Sequence, residues 1–170
     1  SSRYLVTWRR GDLSLEADPR WYEPLDWRDP WVLWDEDSAT WHMYVCARAN
    51  HGPTDGRGVI GHLTSPDLES WTTLPPVSAP GELRQLEVPQ VVPCGSRLAM
   101  LFCANDIDHS AVRLGRGAAR EYGTHVLYGD RLDGPFVLER DEFLSGDNGP
   151  SMYAGRAVEH AGRWWFLAWD

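Results

Sequence analysis

Apolar residues in this chain gather into short runs, and polar turn formers punctuate them. Trp41-His42-Met43-Tyr44-Val45-Cys46-Ala47 is aromatic or apolar almost throughout, the pattern of a strand covered on both faces. Around it, the runs at residues 30–34, 58–64 and 71–74 have strand length and strand composition. Asp35-Glu36-Asp37-Ser38 and Asn50-His51-Gly52-Pro53-Thr54-Asp55-Gly56 separate them with turn chemistry. No stretch sustains a helical period, and only residues 111–122 leave room for a helical turn. The pattern predicts an all-β chain.

The same pattern returns along the chain. Trp27-Arg28-Asp29-Pro30-Trp31-Val32-Leu33-Trp34 and the run at 41–47 are answered by Leu86-Glu87-Val88-Pro89-Gln90-Val91-Val92 and Arg97-Leu98-Ala99-Met100-Leu101-Phe102-Cys103-Ala104. Pro30 and Pro89 are 59 positions apart; Met43 and Met100, like Cys46 and Cys103, are 57 apart. Ser65-Pro66-Asp67-Leu68-Glu69-Ser70-Trp71 closes one unit. Ser2-Arg3-Tyr4-Leu5-Val6-Thr7-Trp8 reads as the close of the unit before it, with Trp8 63 positions ahead of Trp71. Phe136 closes the next, 65 positions after Trp71, and a further unit opens at Met152-Tyr153-Ala154-Gly155.

Four short strands repeated at a fixed period mark a β-propeller. Residues 1–26 read as the end of a first blade and its connection, 27–76 as a second blade, 77–140 as a third and 141–170 as the start of a fourth. At about 60 residues a unit the chain makes an incomplete arc of roughly two complete and two partial blades. The remainder of the propeller is expected upstream and downstream. Trp8, Trp164, Trp165 and Trp169, on the outermost strands of such an arc, are expected to be poorly covered.

Composition removes several classes of function. The formal net charge of −9 and pI of about 5.0 exclude nucleic acid as a partner, because holding a polyphosphate needs clustered Lys and Arg. Arg113, Arg116 and Arg120 do gather, but a solvated loop between strands is their expected setting. No apolar run is long enough to cross a membrane, so no membrane partner is expected; the compartment stays open. Most of the ten tryptophans are expected in the core, with a few left as platforms for sugar rings. Three cysteines without CxxC or metal-ligand spacing predict neither a disulfide framework nor a metal or cofactor site. Cys46 and Cys103 are expected as small buried side chains and Cys94 in the turn Pro93-Cys94-Gly95. His51, His62 and His109 are expected to be ordinary loop or strand residues.

Two acidic residues carry the functional signal. Asp29 and Glu87 each stand just ahead of an X-Pro step, at matching places of the repeat. Carboxylates at one point of successive blades converge on the axis, and converging carboxylates are what cleavage of a glycosidic bond requires. The ordinary alternative for each is a strand-end carboxylate that caps a turn.

These blocks resemble glycoside hydrolase family 32, the β-fructofuranosidases. The family's Arg-Asp-Pro motif is met by Arg28-Asp29-Pro30, and its Glu-Cys-Pro motif by Glu87-Val88-Pro89, with Val88 in place of cysteine. Its Asp-x-Gly-x-Asp-Phe-Tyr-Ala motif is met by Asp147-Asn148-Gly149-Pro150-Ser151-Met152-Tyr153-Ala154, with Ser151 and Met152 departing from it. The resemblance implies a five-bladed propeller with a funnel-shaped site, and retaining cleavage or transfer on fructosides of the sucrose, inulin or levan type. It implies that Glu87 is the general acid/base and Asp29 the transition-state stabiliser. It further implies that Arg28, Asp147 and Tyr153 bind substrate, Arg28 by orienting the carboxylates and the other two beside Glu87 at the rim. The family's nucleophile lies in an Asn-Asp-Pro-Asn motif that does not occur here; Asp18-Pro19 lacks the flanking asparagines. The chain is therefore expected to be inactive alone. Rival readings are a related five-bladed glycosidase of the family 43 or family 68 kind, a non-catalytic sugar-binding propeller, and a structural propeller that binds protein.

Overall fold

The computed structural model describes residues 5–139, 143–147 and 152–169, but not the side chains of Phe143 and Asp147. The chain is all-β and builds successive antiparallel sheets. The first sheet joins β1 (Arg28–Asp35), β2 (Thr40–Arg48), β3 (Gly58–Ser65) and β4 (Thr72–Leu74) in chain order. The second joins β5 (Glu87–Cys94), β6 (Arg97–Ala104), β7 (Tyr122–Gly129) and β8 (Phe143–Asp147) in the same way. β9 (Tyr153–His160) and β10 (Arg163–Trp169) pair as a third. Each sheet is a meander with its earliest strand innermost, and β1, β5 and β9 lie next to one another. That is the plan of propeller blades.

Local chemistry explains the breaks. In the turn that joins β3 to β4, Ser65 Oγ accepts from the backbone of Leu68 at 2.8 Å, and Asp67 Oδ1 accepts from Glu69 and Ser70 at 2.8 and 2.7 Å. Trp71 Nε1 closes it by donating to Leu68 O at 3.0 Å. These are the Asx- and Ser-turn bonds that make such residues turn formers. The helical turn is α1 (Ala111–Gly115), capped by Ser110, whose hydroxyl accepts from Arg113 N at 3.1 Å.

Alternation decides what each blade buries. Tyr44 of β2 points toward the second sheet and packs with Leu86, Val91, Met100 and Phe136. Its neighbours Val45 and Ala47 point the other way, onto Tyr22, Val59 and Leu63. Beyond the second sheet, Leu101 and Val126 pack against Phe166 of β10. Among the described residues no strand precedes β1; Tyr22 ties that segment down by bridging Ala49 and donating its hydroxyl to Leu74 O at 2.6 Å.

Two expectations are corrected. The tryptophans do not fill the core: none is fully buried, and Tyr22, Tyr44, Phe102 and Phe136 take the deepest places. Trp27, Trp31, Trp34, Trp41 and Trp71 edge the clusters half-buried, as suits a ring too large to enclose. Trp8, Trp164, Trp165 and Trp169 are exposed, as their place in the arc predicts. Arg113 is not on a solvated loop but fully buried, because α1 packs it onto His109, whose Nδ1 accepts from Arg113 Nε at 3.1 Å.

Candidate active site

β1, β5 and β9 begin with one shared irregularity. Arg28 and Trp31 face Cys46 and Tyr44, Glu87 and Gln90 face Cys103 and Leu101, and Tyr153 and Arg156 face Trp169 and Leu167. Each inner strand thus gains one residue on its partner: Asp29, Val88 or Ala154, with φ of 59°, 46° and 53°. These are β-bulges, which re-aim side chains and concentrate near active sites. A non-glycine residue in the left-handed region, above all β-branched Val88, stores about 1–3 kcal/mol of strain. In the third sheet Gly155 stands where the others have proline, and a Cβ there would collide with Phe166 and Thr124.

The bulge corrects the expected register. Asp29 and Glu87 do not hold matching places: Arg28 matches Glu87, and Asp29 matches Val88. The two prolines align the blocks, and Glu87 lies two residues before its proline where Asp29 lies one before. What converges is therefore Arg28, Glu87 and Tyr153, one from each successive sheet, with Asp29 beside them. Matching residues also touch across the first boundary. Arg28–Glu87, Asp29–Val88 and Asp26–Gln85 are all bonded pairs separated by 59 positions.

Arg28 is the hub. Its Nη2 donates to Glu87 Oε1 at 2.6 Å and Gln85 Oε1 at 2.5 Å, and its Nη1 to Asp26 Oδ1 at 2.7 Å. Its Nε lies 3.7 Å from Asp29 Oδ2, so one guanidinium spans both Asp29 and Glu87. Burial opposes the Arg28 charge, but the hydrogen bond to Glu87 and the charges around it outweigh burial and raise its pKa. The Tyr153 hydroxyl donates to Glu87 Oε2. Burial first, then Glu87, pushes the Tyr153 phenol far up, so it stays a donor. Both Glu87 oxygens thus accept hydrogen bonds, one from Arg28 and one from Tyr153. The side chains of Arg28, Asp29 and Glu87 keep 34%, 27% and 25% of their surface exposed, so a ligand from solvent can reach them.

Behind this cluster lie two buried thiols. Burial pushes Cys46 up to about 12 and Cys103 upward as well, so both stay neutral. Cys103 Sγ accepts from Ala154 N at 3.1 Å and so ties β6 to β9. Cys94 is exposed. Among the described residues no group of His, Cys, Asp or Glu is arranged to hold a metal ion.

The backbone of Asp147 pairs with Tyr122, whose ring lies 4.8 Å from that of Tyr153. The Asp147 side chain, like residues 148–151, lies outside the described residues. Sequence reasoning missed Asp26, Gln85 and Arg156. The first two carry the same 59-residue offset as the prolines, so the signal was present. Arg156 donates to Val88 O and sits over the Trp31 ring at 5.7 Å, a contact between blades that no motif announces.

An arc of antiparallel blades with carboxylates gathered on its innermost strands defines a propeller domain of glycosidase type. Residues 5–170 match the N-terminal domain of glycosyl hydrolases family 32, and the chain belongs to that family. No match is found among curated protein sequences. Among solved structures the chain is similar to inulosucrase from Halalkalicoccus jeotgali bound to kestose, at 20% identity and TM-score 0.70, over 86% of this chain and 41% of that one. It is similar to the β-fructofuranosidase catalytic domain of Microbacterium saccharophilum K-1, at 16% identity and TM-score 0.64, over 82% and 36%. It is also similar to endo-arabinase from Bacteroides thetaiotaomicron VPI-5482, at 19% identity and TM-score 0.58, over 84% and 44%. At such identities the likeness is one of fold. The chain spans less than half the length of each of these structures.

Proposed function

We propose that this protein is a glycoside hydrolase acting on β-fructofuranosides of the sucrose, inulin or levan type, with retention at the anomeric carbon. The observation that carries the proposal is the single guanidinium of Arg28 held between Glu87 and Asp29, on the innermost strands of adjacent blades. Family membership supports the fructoside. Glu87 acts as general acid/base: it gives a proton to the leaving glycosidic oxygen while a carboxylate other than Asp29 attacks the anomeric carbon. In the second half it takes a proton from the water that releases fructose. Asp29, held by Arg28 and the Val88 N–H, faces the positive charge of the oxocarbenium-like transition state. Tyr153 fixes the orientation of Glu87, and Asp147 is assigned to substrate binding beside it.

The likeness to an endo-arabinase favours a second reading, a related five-bladed glycosidase that cleaves pentose polymers. The intact protein, offered sucrose, inulin and levan in parallel with arabinan and xylan, separates the two. Release of fructose is the expected result, and release of arabinose or xylose alone overturns it.

A further inference from the structure

The bulge beside Glu87 is held from both neighbouring blades. Val88 is the extra residue of β5, and its φ of 46° is a conformation that a β-branched residue adopts only under constraint. From the preceding blade, Asp29 Oδ2 accepts from the Val88 N–H at 3.2 Å. From the following blade, Arg156 Nη1 donates to the Val88 carbonyl and reaches the Pro89 carbonyl at 3.4 Å. Both backbone polar groups of Val88 are therefore bonded to side chains of other blades.

Arg156 is itself fixed in place. It matches Gln90 and Trp31, each of the three standing three residues after the converging residue of its strand. Gln90 is buried and bonds to the next strand as backbone would: its Nε2 donates to Ala157 O at 2.8 Å, and its Oε1 accepts from Ala157 N at 2.9 Å. That exchange sets β9 against β5 beside Arg156. The guanidinium then lies over the Trp31 ring at 5.7 Å, so one side chain joins the innermost strands of all three sheets. Burial pulls the Arg156 pKa down against the charge of Asp29. A half-buried cation carries a desolvation cost, and here it serves the carbonyl of a strained residue.

Given the fructosidase assignment above, we infer that Arg156 is a positioning residue for the reaction: it holds Val88 in the left-handed conformation, and through Val88 it sets both Glu87 and Asp29. Without that hold the valine relaxes toward negative φ, which turns the Glu87–Val88 peptide and carries the Val88 N–H away from Asp29. Arg156 acts on the aim of the two carboxylates, so its loss lowers turnover and leaves KM nearly unchanged.

The test is a double-mutant comparison in the intact protein, read on sucrose. Arg156→Met keeps an unbranched stem and removes the donors; it lowers kcat about tenfold with KM within about twofold of the parent. In a Val88→Gly background the same change lowers kcat less than about threefold, because glycine enters positive φ without strain and needs no clamp. Equal losses in the two backgrounds would show that Arg156 does not act through Val88, and overturn the inference. So would no loss in either, or a KM that rises while kcat holds, which marks direct substrate binding. If Arg156→Met does not fold, Arg156→Gln, polar but too short to reach the carbonyl, carries the same comparison. A parent that cleaves no fructoside overturns the underlying assignment instead, so the two failures are told apart by the parent alone.

Discussion

Both ends of the blades are crowded with charge, and they are built differently. Where β1, β5 and β9 begin, polar groups pair between blades, over separations of 57 to 68 positions. Where the β1–β2 and β5–β6 hairpins turn, a cavity of about 860 Å³ is lined by Asp35, Arg97, Arg131, Asp133 and the buried His42–His62 pair. Much of the pairing there is local. Asp35 accepts from Ser38 Oγ at 2.5 Å, three residues on, and Arg131 donates to Asp133, two residues on. At that end Ala39 and Gly95, both left-handed, occupy hairpin turns, whereas Asp29 and Val88 hold the same conformation inside strands. Local pairing in a turn is what folding a hairpin needs. Strain inside a strand, held by partners from another blade, serves no hairpin. Under the proposed function, that is the end that meets the sugar.

Glu87→Gln tests that contrast hardest. The variant keeps the size and one acceptor of the side chain but cannot deliver a proton. On sucrose its turnover should fall roughly 10²–10⁴-fold. On a fructoside whose leaving group needs no proton the fall should be much smaller. Equal falls would show that Glu87 is not the acid.

The opposite end should answer to pH through stability rather than through chemistry. His42 Nδ1 and His62 Nε2 lie 2.9 Å apart, and both rings are buried. Burial pushes both imidazoles down, His62 to about 4 from the ordinary 6.5, against the pull of Asp133 and, at His42, of Asp35. A His depressed in the folded state binds fewer protons there than in the unfolded chain. The stability it leaves intact above pH 6.5 is therefore lost as pH falls toward about 4. The loss is roughly 3 kcal/mol by the usual conversion. Denaturant unfolding between pH 7 and 4 should show the slope, and His62→Gln should flatten it. A slope that survives the substitution would place the acid sensitivity elsewhere.

Tyr153→Phe removes one donor from Glu87 and leaves the ring against Tyr122. Loss of a hydrogen bond to a charged group should lower sucrose turnover by about tenfold or somewhat more. An unchanged rate would remove Tyr153 from the functional cluster. Smallest of all should be Asp133→Asn, which breaks a pair that Arg131 makes two residues away at a half-exposed site. Turnover within about twofold of the parent is expected, as for other surface ion pairs. A large loss there would erase the distinction between the two ends.

The site was legible in part, and particular residues show where legibility stopped. Arg28, Asp29, Glu87 and Tyr153 stood out because motif residues lie at the starts of repeated apolar runs, and the structure brings all four together. Their mutual places were misread by one residue. The prolines already carried the right alignment: Pro30 and Pro89 are 59 positions apart, as are Arg28 and Glu87, whereas Asp29 and Glu87 are 58 apart. The bulge itself is not legible from alternation; the left-handed φ at Asp29 and Val88 shows it. Arg113 was misread for a related reason. Charge and neighbouring arginines spoke for solvent, while the docking of α1 beside His109 put it inside.

By itself the sequence determined what depends on neighbours along the chain. Strand length, the turn bonds of Ser65 to Trp71 and the Ser110 cap follow from residues within a few positions of one another, and the period of the blades from the return of the same runs. The buried places of Cys46 and Cys103 follow from the same apolar runs. Tertiary structure decided the rest: that residues sharing the 59-position offset touch across the blade boundary, that Arg156 holds the Val88 carbonyl, and that the tryptophans stay at the edges of the core. Each of these depends on how one blade docks against the next. Docking is set by the summed packing of whole sheets, which no short stretch of sequence contains.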